Sequence, residues 1–414
     1  MKNYITILLV LLSTLLYSQN SEIDWKADIE FLKNELPKKH KDFFTVRTYN
    51  DFDDELNEIV SKLNRLEDFE IILSIQQVIA SFGDSHTHIE FSKLFDQEKS
   101  LPLKLYWFKN GLHILATSQK NKLILGKKIT SINDYPIAQI CDSLETLFTV
   151  DNSAMSKMFV PKLLNNGALL EFFGFAKNGV YELGLEDDNA SFSKSTVQIE
   201  RITKENQQAL IPNTKPYCLQ HQRDVFIQNY IEKDSIYYIQ YNKCASRELM
   251  IKFGHPEKAK KYPSFTEFEN KIFHTIKEQP IKQFVFDMRF NGGGSSAQGT
   301  EFVKKISQIK EINSKGKLYV VIGRKTFSSA IINAIDFKNQ TEVILVGEET
   351  SGKPNHFGEI RSFDLPHSKL NVTYSTKYFK ETDEDINTIV PDICIETSFE
   401  DYMNGVDPVY EWIK

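Results

Sequence analysis

The sequence has few cysteines and no excess of positive charge. Its four cysteines, among 414 residues, are widely separated, and no two form a C-x-x-C pair. This spacing excludes a zinc knuckle and a dense disulfide framework, and it leaves room for one or two disulfide bonds. The formal net charge is −6, with both signs mixed along the chain. Because a nucleic-acid partner normally requires a basic surface, we expect none.

Long apolar runs are absent beyond the first residues. Lys2 precedes a short apolar run from Ile5 to Tyr17, and polar residues begin at Ser18. This layout is typical of a secretory signal peptide, and the run is short for a transmembrane helix. We therefore expect a signal peptide at residues 1–18 and an exported chain, periplasmic or secreted, that is not stably inserted in a membrane. An uncleaved membrane anchor is the alternative interpretation.

Two common enzyme signatures are missing or incomplete. The chain has no G-x-S-x-G motif, which disfavours an α/β-hydrolase esterase. The segment Gly292–Ala297 formally matches G-x-G-x-x-A after a predicted strand. However, three residues separate that strand from the glycines, and the next predicted strand ends at Gly323 and Arg324 without an acidic ribose ligand. We therefore do not predict a dinucleotide site.

A metal site is a further alternative that the sequence supports weakly. Polar residues alternate in GDSHTHIEF, and a strand would place Asp84, His86, His88 and Glu90 on one face. An H-x-H pair of this kind can ligate a metal ion. The other histidines are scattered singly, so no third and fourth ligand with recognisable spacing completes the set. We therefore predict no metal site.

The chain divides into three regions with different patterns. Residues 19–95 have apolar residues at helical spacing, and residues 96–215 have short strands and turns. In this β-rich middle region, LILGKKITSINDYPI weakly resembles the carboxylate-binding segment of a PDZ domain. In residues 216–414, the buried-strand patterns SIYYIQY, QFVFDM, KLYVVIG and EVILVG alternate with helical segments. This alternation predicts an α/β core with a mainly parallel sheet.

Three loops that follow predicted strands carry the candidate chemistry, and they should meet at one edge of a parallel sheet. RFNGGGSS offers backbone N–H groups to an anion, RKTFSS places Ser328 and Ser329 at a helix N-terminus, and EETSGK supplies Lys353. A lysine whose pKa is lowered can take the proton of a serine nucleophile. The pattern favours a Ser-Lys dyad with an oxyanion hole, with simple helix capping by the serines as the alternative.

The ordered motifs FVFDMRFNGGG, GRKTFSSAIINA and LVGEETSGK resemble the tail-specific, or C-terminal-processing, serine protease family, which includes tricorn-like proteases and the repeats of interphotoreceptor retinoid-binding protein. GDSHTHIEF and TIVPDICIE are similar to that family's segments before and after the core. The resemblance implies a crotonase/ClpP-like core with an N-terminal helical region and a β-rich middle region. It also implies an endopeptidase that cleaves peptides or unfolded proteins through an acyl-enzyme, with no metal or organic cofactor.

The resemblance also implies a role for individual residues. Ser328 lies 25 residues before Lys353, which is the spacing of nucleophile and lysine in that family. Ser329 would supply one backbone N–H to the oxyanion hole, and the turn at Gly292 and Gly293 would supply another.

The resemblance to the tricorn-like branch implies a second way to activate the nucleophile. That branch uses a Ser-His pair together with a distant acid. Ser85, His86 and Asp385 match that arrangement. Since a histidine titrates near neutral pH, His86 is the second candidate for the general base beside Lys353. The retinoid-binding relatives imply a further alternative, a catalytically inactive exported protein that binds a peptide or an apolar ligand on the same fold.

Overall fold

The computed structural model describes residues 23–91 and 99–414. The expected signal peptide at residues 1–18 lies outside the described residues. Within those ranges, none of the helices has the length and apolar character needed to cross a membrane. All four cysteines are free, so neither of the disulfide bonds that the sequence allowed is formed.

The N-terminal region is helical, as predicted. Its helices are α1 (Trp25–Lys39), α2 (Tyr49–Lys62) and α3 (Asp68–Ala80). Side chains cap the first two helices, since Asp24 accepts the N–H of Ala27 and Thr48 accepts the N–H of Asp51. The apolar faces of all three helices share one core with a small antiparallel sheet.

That small sheet brings together distant parts of the chain. Its strands, in the order β1-β15-β14, are β1 (His88–Ile89), β15 (Asn371–Phe379) and β14 (His356–Asp364). The turn that joins β14 and β15 is tied to α1 by the fully buried Asp28, whose carboxylate accepts the N–H groups of His367 at 2.8 Å and Ser368 at 2.7 Å.

The predicted strand alternation in GDSHTHIEF is wrong for most of that segment. Only His88 and Ile89 form a strand. Before them, the Asp84 carboxylate accepts the N–H of His86 at 2.9 Å and the hydroxyl of Thr87 at 2.5 Å. These local bonds close a turn, because an aspartate can bond its own neighbouring backbone in place of a strand ladder.

The middle region is rich in strands, as predicted. The sheet has the order β2-β3-β4-β6-β7, with β5 paired to β4 and β8 to β3. Its strands are β2 (Leu103–Phe108), β3 (Gly111–Ser118), β4 (Lys128–Ile132), β5 (Tyr135–Pro136), β6 (Val180–Glu186), β7 (Phe192–Gln198) and β8 (Gln207–Ala209). The same region also contains α4 (Ile137–Glu145), α5 (Ser153–Leu163) and α6 (Gly167–Phe172). The boundaries given for the three regions stay predictions.

The C-terminal region contains the predicted α/β core. A sheet of order β16-β13-β12-β11-β10-β9 is parallel except at β9. Its strands are β9 (Phe226–Ile231), β10 (Ile236–Tyr241), β11 (Gln283–Asp287), β12 (Leu318–Ile322), β13 (Ile344–Gly347) and β16 (Ile393–Cys394). The four predicted core strands are therefore present.

Helices cover both faces of this sheet. The helices of the core region are α7 (Tyr217–Gln220), α8 (Arg247–Lys252), α9 (Pro256–Ala259), α10 (Phe265–Glu278), α11 (Ala297–Ile306), α12 (Ser329–Gln340), α13 (Phe399–Asn404) and α14 (Pro408–Ile413). Apolar residues of α10, α11 and α12 pack on one face of the sheet, and those of α7 and α14 pack on the other. This two-sided cover explains why β10, β11 and β12 are buried along their whole length.

Candidate active site

The three loops beyond β11, β12 and β13 meet, as their positions in the parallel sheet predict. The Phe327 N–H donates to the carbonyl oxygen of Asn291 at 3.1 Å. Gly352, in the loop after β13, lies so close to Phe327 that a Cβ atom there would be 2.8 Å from its ring. Phe327 therefore joins the glycine-rich loop, the serine loop and the loop that carries Lys353.

Ser328 has a strained backbone at the start of α12. Its φ of 53° and ψ of −126° are rarely adopted by residues other than glycine. The side chain makes no helix-capping hydrogen bond, so simple helix capping does not explain this serine. Within the described part of the chain, the Ser328 hydroxyl has no hydrogen-bond partner. The neighbouring Ser329 differs, because its hydroxyl donates to the Gly294 carbonyl oxygen at 2.9 Å.

The glycine turn faces Ser328 so closely that a side chain would not fit. At Gly293, which has a φ of +97°, a Cβ atom would lie 2.9 Å from the Phe327 carbonyl oxygen, 3.1 Å from Ser328 Cβ and 3.2 Å from the Ser329 nitrogen. Only glycine adopts this conformation and allows this approach without strain.

The N–H groups at this turn are not equivalent. The Gly293 N–H donates to Asn291 Oδ1 at 2.9 Å, so it is already engaged. The N–H groups of Gly292 and Ser329 make no hydrogen bond to any residue in the described ranges. The Ser329 N–H, which adjoins Ser328, and the Gly292 N–H in the glycine turn are therefore free to donate.

His86 lies in a stack of aromatic rings next to the serine loop. Its imidazole packs on the Phe327 ring with centroids 4.8 Å apart and on the His356 ring at 5.8 Å. The His356 ring in turn packs on Phe379 at 5.4 Å. The two histidines of the stack are buried, with His86 only 6% exposed, and the two phenylalanines are half-buried.

Burial sets the protonation state of His86. It lowers the pKa of His86 to about 4, although the Asp84 carboxylate, 3.8 Å from Nδ1, acts to raise it. The Nδ1 atom is buried and has no hydrogen-bond partner among the described residues. His86 is therefore a neutral imidazole at neutral pH, oriented by ring packing rather than by a hydrogen-bonded acid.

The acid nearest to His86 is Asp84, not the Asp385 predicted for the tricorn-like scheme. Burial raises the pKa of Asp84, but a hydrogen bond from His40 and the other bonds to its carboxylate lower the pKa to about 2. His40 Nε2 and Asp84 Oδ2 are 2.9 Å apart. Asp385 is exposed and has no described hydrogen bond to His86. The structure therefore does not bring Asp385 into contact with the base that it was predicted to support.

Lys353 is paired with an acid that the sequence interpretation did not include. Its Nζ atom lies 3.9 Å from Asp151 Oδ1, and the lysine side chain is 30% exposed whereas that of Asp151 is 3% exposed. Burial raises the pKa of Asp151 to about 6, although Lys353 and a hydrogen bond from Ser85 act to lower it. Asp151 therefore connects the Lys353 loop to the segment that holds His86.

The next residue, Asn152, strengthens this connection. Its Nδ2 donates to the carbonyl oxygens of Thr350 at 3.1 Å and Asn387 at 2.7 Å. Its side-chain oxygen caps α5 by accepting the N–H of Met155. An asparagine before a helix is an ordinary capping signal. The sequence therefore offered no reason to assign Asp151 and Asn152 to the site.

The second histidine of the H-x-H pair, His88, contacts protein groups. His88 Nε2 lies 3.3 Å from Glu90 Oε1, and its Nδ1 lies 3.1 Å from the Thr373 hydroxyl. Among residues 23–91 and 99–414, no group of three or more histidine, cysteine, aspartate or glutamate side chains is placed to hold a metal ion.

Comparison with known proteins gives a family match for part of the chain and a fold for most of it. Residues 298–395 match the model of peptidase family S41. The structure of mature CPAF complexed with lactacystin has 12% sequence identity and a TM-score of 0.59, over 94% of this chain and 96% of that chain. Mature CPAF gives 12% identity and a TM-score of 0.57, over 94% and 95%. The photosystem II D1 C-terminal processing protease gives 12% identity and a TM-score of 0.42, over 94% and 99%.

The matched residues include the serine loop and Lys353, so this part of the chain is similar to peptidase family S41. Over residues 298–395 this match confirms the predicted resemblance to the tail-specific proteases. The likeness to mature CPAF confirms the predicted fold. Comparison with the curated proteins gives no match.

Proposed function

We propose that this chain is an exported serine endopeptidase that cleaves peptides or unfolded proteins, with Ser328 as the nucleophile. The strained backbone of Ser328 supports this role most strongly, because it holds a hydroxyl without a described partner beside the Gly293 turn. Strained backbone of this kind is concentrated at functional sites. Export is proposed from the sequence of residues 1–18 alone.

The contacts of the two candidate bases favour His86 over Lys353. Lys353 Nζ is engaged with the Asp151 carboxylate at 3.9 Å rather than with Ser328. His86 is neutral and packs directly on Phe327, the residue before Ser328. We therefore assign His86 as the general base, and Lys353, which the sequence interpretation favoured, is the second candidate.

The reaction follows from these positions. Ser328 Oγ attacks the scissile carbonyl carbon while its proton passes to the base. The N–H groups of Gly292 and Ser329 stabilise the oxyanion of the tetrahedral intermediate. The C–N bond then breaks, and the leaving amine takes the proton from the base. In the second half of the reaction the base takes a proton from water, and the water oxygen attacks the acyl carbonyl carbon. The ester C–O bond then breaks, and Ser328 Oγ takes the proton from the base. This scheme requires no metal or organic cofactor.

One observation bears on the second candidate function, an inactive protein that binds a peptide or an apolar ligand on the same fold. Within the described residues, no hydrogen bond joins the Ser328 hydroxyl to His86 or to Lys353. Catalytic hydrogen bonds are often loose without substrate, so this gap is compatible with either function.

A cleavage assay separates the two functions and the two bases. The mature protein is incubated with unfolded casein, and the products are followed by intact mass for wild type, Ser328→Ala and the control Ser307→Ala at the end of α11. We expect cleavage by wild type and the control, and none by Ser328→Ala. His86→Ala should lose more activity than Lys353→Ala. If the folded wild-type protein does not cleave casein, the binding function is supported. If Ser328→Ala cleaves casein as fast as wild type does, Ser328 is excluded as the nucleophile.

A further inference from the structure

A cavity lies apart from the Ser328 site, between the middle sheet and the carboxyl edge of the core sheet. Its volume is about 700 Å³. Its walls come from β2, β3, the segment after β8, the serine loop at Gly323–Lys325 and the C-terminal residues from Ile395 to Val409. Ser328, Lys353 and His86 do not line it. The volume is typical of a site for a small organic ligand.

The walls of this cavity are largely apolar. The side chains that form them include Tyr106, Leu115, Leu210, Ile211, Phe290 and Ile395. None of these six is fully buried, and Ile211 is 82% exposed. Apolar side chains that remain accessible around a cavity favour a ligand with an apolar body.

The rim of the cavity carries unbalanced positive charge. Four exposed cations line it: Lys104, Lys215, Arg223 and Lys325. None of them forms an ion pair with a residue in the described ranges. The formal charge of the whole chain is −6, so this local excess of cations opposes the general charge of the protein. A concave surface lined by one sign of charge attracts a ligand of the opposite sign.

The two arginines deeper in the wall do not add to this excess, because acids neutralise them. Arg324 pairs with Glu348, with N–O distances of 2.6 and 3.0 Å. Arg289 pairs with Asp287 at 2.8 Å and with Asp407 at 3.0 Å. Because three acids more than balance these two arginines, the positive charge that an incoming ligand meets is at the rim.

The backbone around the cavity argues against an added peptide strand. β2 is the edge strand of the middle sheet, and an extended peptide would bind such an edge through main-chain hydrogen bonds. However, the Trp107 carbonyl oxygen already accepts from Arg324 Nη1 at 2.6 Å, and that of Leu103 accepts from Asn165 Nδ2 at 3.4 Å. Two carbonyl oxygens of β2 are therefore occupied, which leaves the apolar side chains and the rim cations as the main contacts for a ligand.

We propose that this cavity binds a long-chain carboxylate, that is, a fatty acid. The acyl chain lies against Tyr106, Leu115 and Phe290, and the carboxylate lies among the rim cations, Lys104 and Lys325 in particular. Binding involves no covalent step and is separate from the peptidase activity proposed for Ser328.

Titration calorimetry of the whole mature protein with dodecanoate, below its micelle concentration, tests this proposal. We expect one bound dodecanoate per chain. Dodecanol, which lacks the charge, and acetate, which lacks the chain, should each bind at least tenfold more weakly. The double variant K104E/K325E should weaken dodecanoate binding about tenfold. The matched control Lys310→Glu, an exposed lysine after α11 that does not line the cavity, should leave the affinity unchanged.

A second variant tests the apolar wall. Because Ile211 is 82% exposed, Ile211→Asp should fold normally and weaken dodecanoate binding several-fold. The proposal is overturned if dodecanoate does not bind, if dodecanol binds equally well, or if K104E/K325E binds as wild type does. It is also overturned if an apolar peptide with a free C-terminal carboxylate binds where dodecanoate does not.

Discussion

Replacing Gly293 by alanine should damage both the fold and the proposed site. The residue has a φ of +97°, and a Cβ atom would lie 2.9 Å from the Phe327 carbonyl oxygen and 3.1 Å from Ser328 Cβ. Backbone strain alone should lower the free energy of unfolding by about 1–3 kcal/mol. Because the new methyl group also pushes on the nucleophile, the reaction of Ser328 with a fluorophosphonate should slow by about 100-fold, as expected for a displacement of roughly 1 Å.

Gly292→Ala is the matched control for this change. Nothing lies within 4 Å of a Cβ atom at Gly292, and its φ is not in the left-handed region. Its free energy of unfolding should therefore stay within about 0.5 kcal/mol of wild type. Urea unfolding gives the stability of each variant, and intact mass gives the rate of labelling. If Gly293→Ala were as stable and as reactive as wild type, the close approach of this turn to Ser328 would be refuted.

Three further predictions concern buried ionisable groups. Burial raises the pKa of Asp151 to about 6. The carboxyl group of Asp151 therefore loses its proton at a lower pH in the unfolded chain than in the folded chain, and the free energy of unfolding falls as pH rises from about 4 to 6. Asp151→Asn should therefore be more stable than wild type above pH 6 in thermal unfolding, and the difference should shrink toward pH 4; a constant difference would contradict the assigned shift. The pKa of His86 is lowered to about 4. As pH drops, the imidazole of His86 is therefore protonated in the unfolded chain before it is protonated in the folded chain, and the free energy of unfolding falls from about pH 6.5 to pH 4. His86→Gln should flatten that part of the stability profile, and an unaltered profile would exclude a buried neutral imidazole. Asp28→Ala leaves the N–H groups of His367 and Ser368 without their acceptor and should cost about 1–3 kcal/mol in urea unfolding, whereas the exposed Asp54→Ala should cost less than about 0.5 kcal/mol.

The core could be predicted from the sequence because its strands are short, fully apolar runs. β10, β11 and β12 are buried at every position, so each reads as a continuous hydrophobic segment between helices. The meeting of the three loops followed from the same topology, since parallel strands end at one edge. The strands were therefore predicted from local apolar runs, and the position of the loops from the shared carboxyl edge of parallel strands.

The surroundings of Ser328 could not be predicted in the same way. Asp151, His86 and His356 come from three distant segments. Only tertiary packing brings His86 onto the serine loop, His356 onto His86, and Asp151 to Lys353. The strands β14 and β15 were not predicted, although His356 at the start of β14 completes the ring stack on His86. The engagement of the Gly293 N–H by Asn291 depends on a side-chain rotamer, which a sequence pattern does not reveal.

The central claim is that Ser328 is the activated nucleophile, and the position of a covalent label tests it most directly. The mature protein is treated with a fluorophosphonate and digested with trypsin, and the peptide from Thr326 to Lys338, which contains both Ser328 and Ser329, is fragmented in a mass spectrometer. We predict that the label is on Ser328 and that the Ser328→Ala protein is not labelled. Label on Ser329, or a folded wild-type protein that takes up none, would contradict the account.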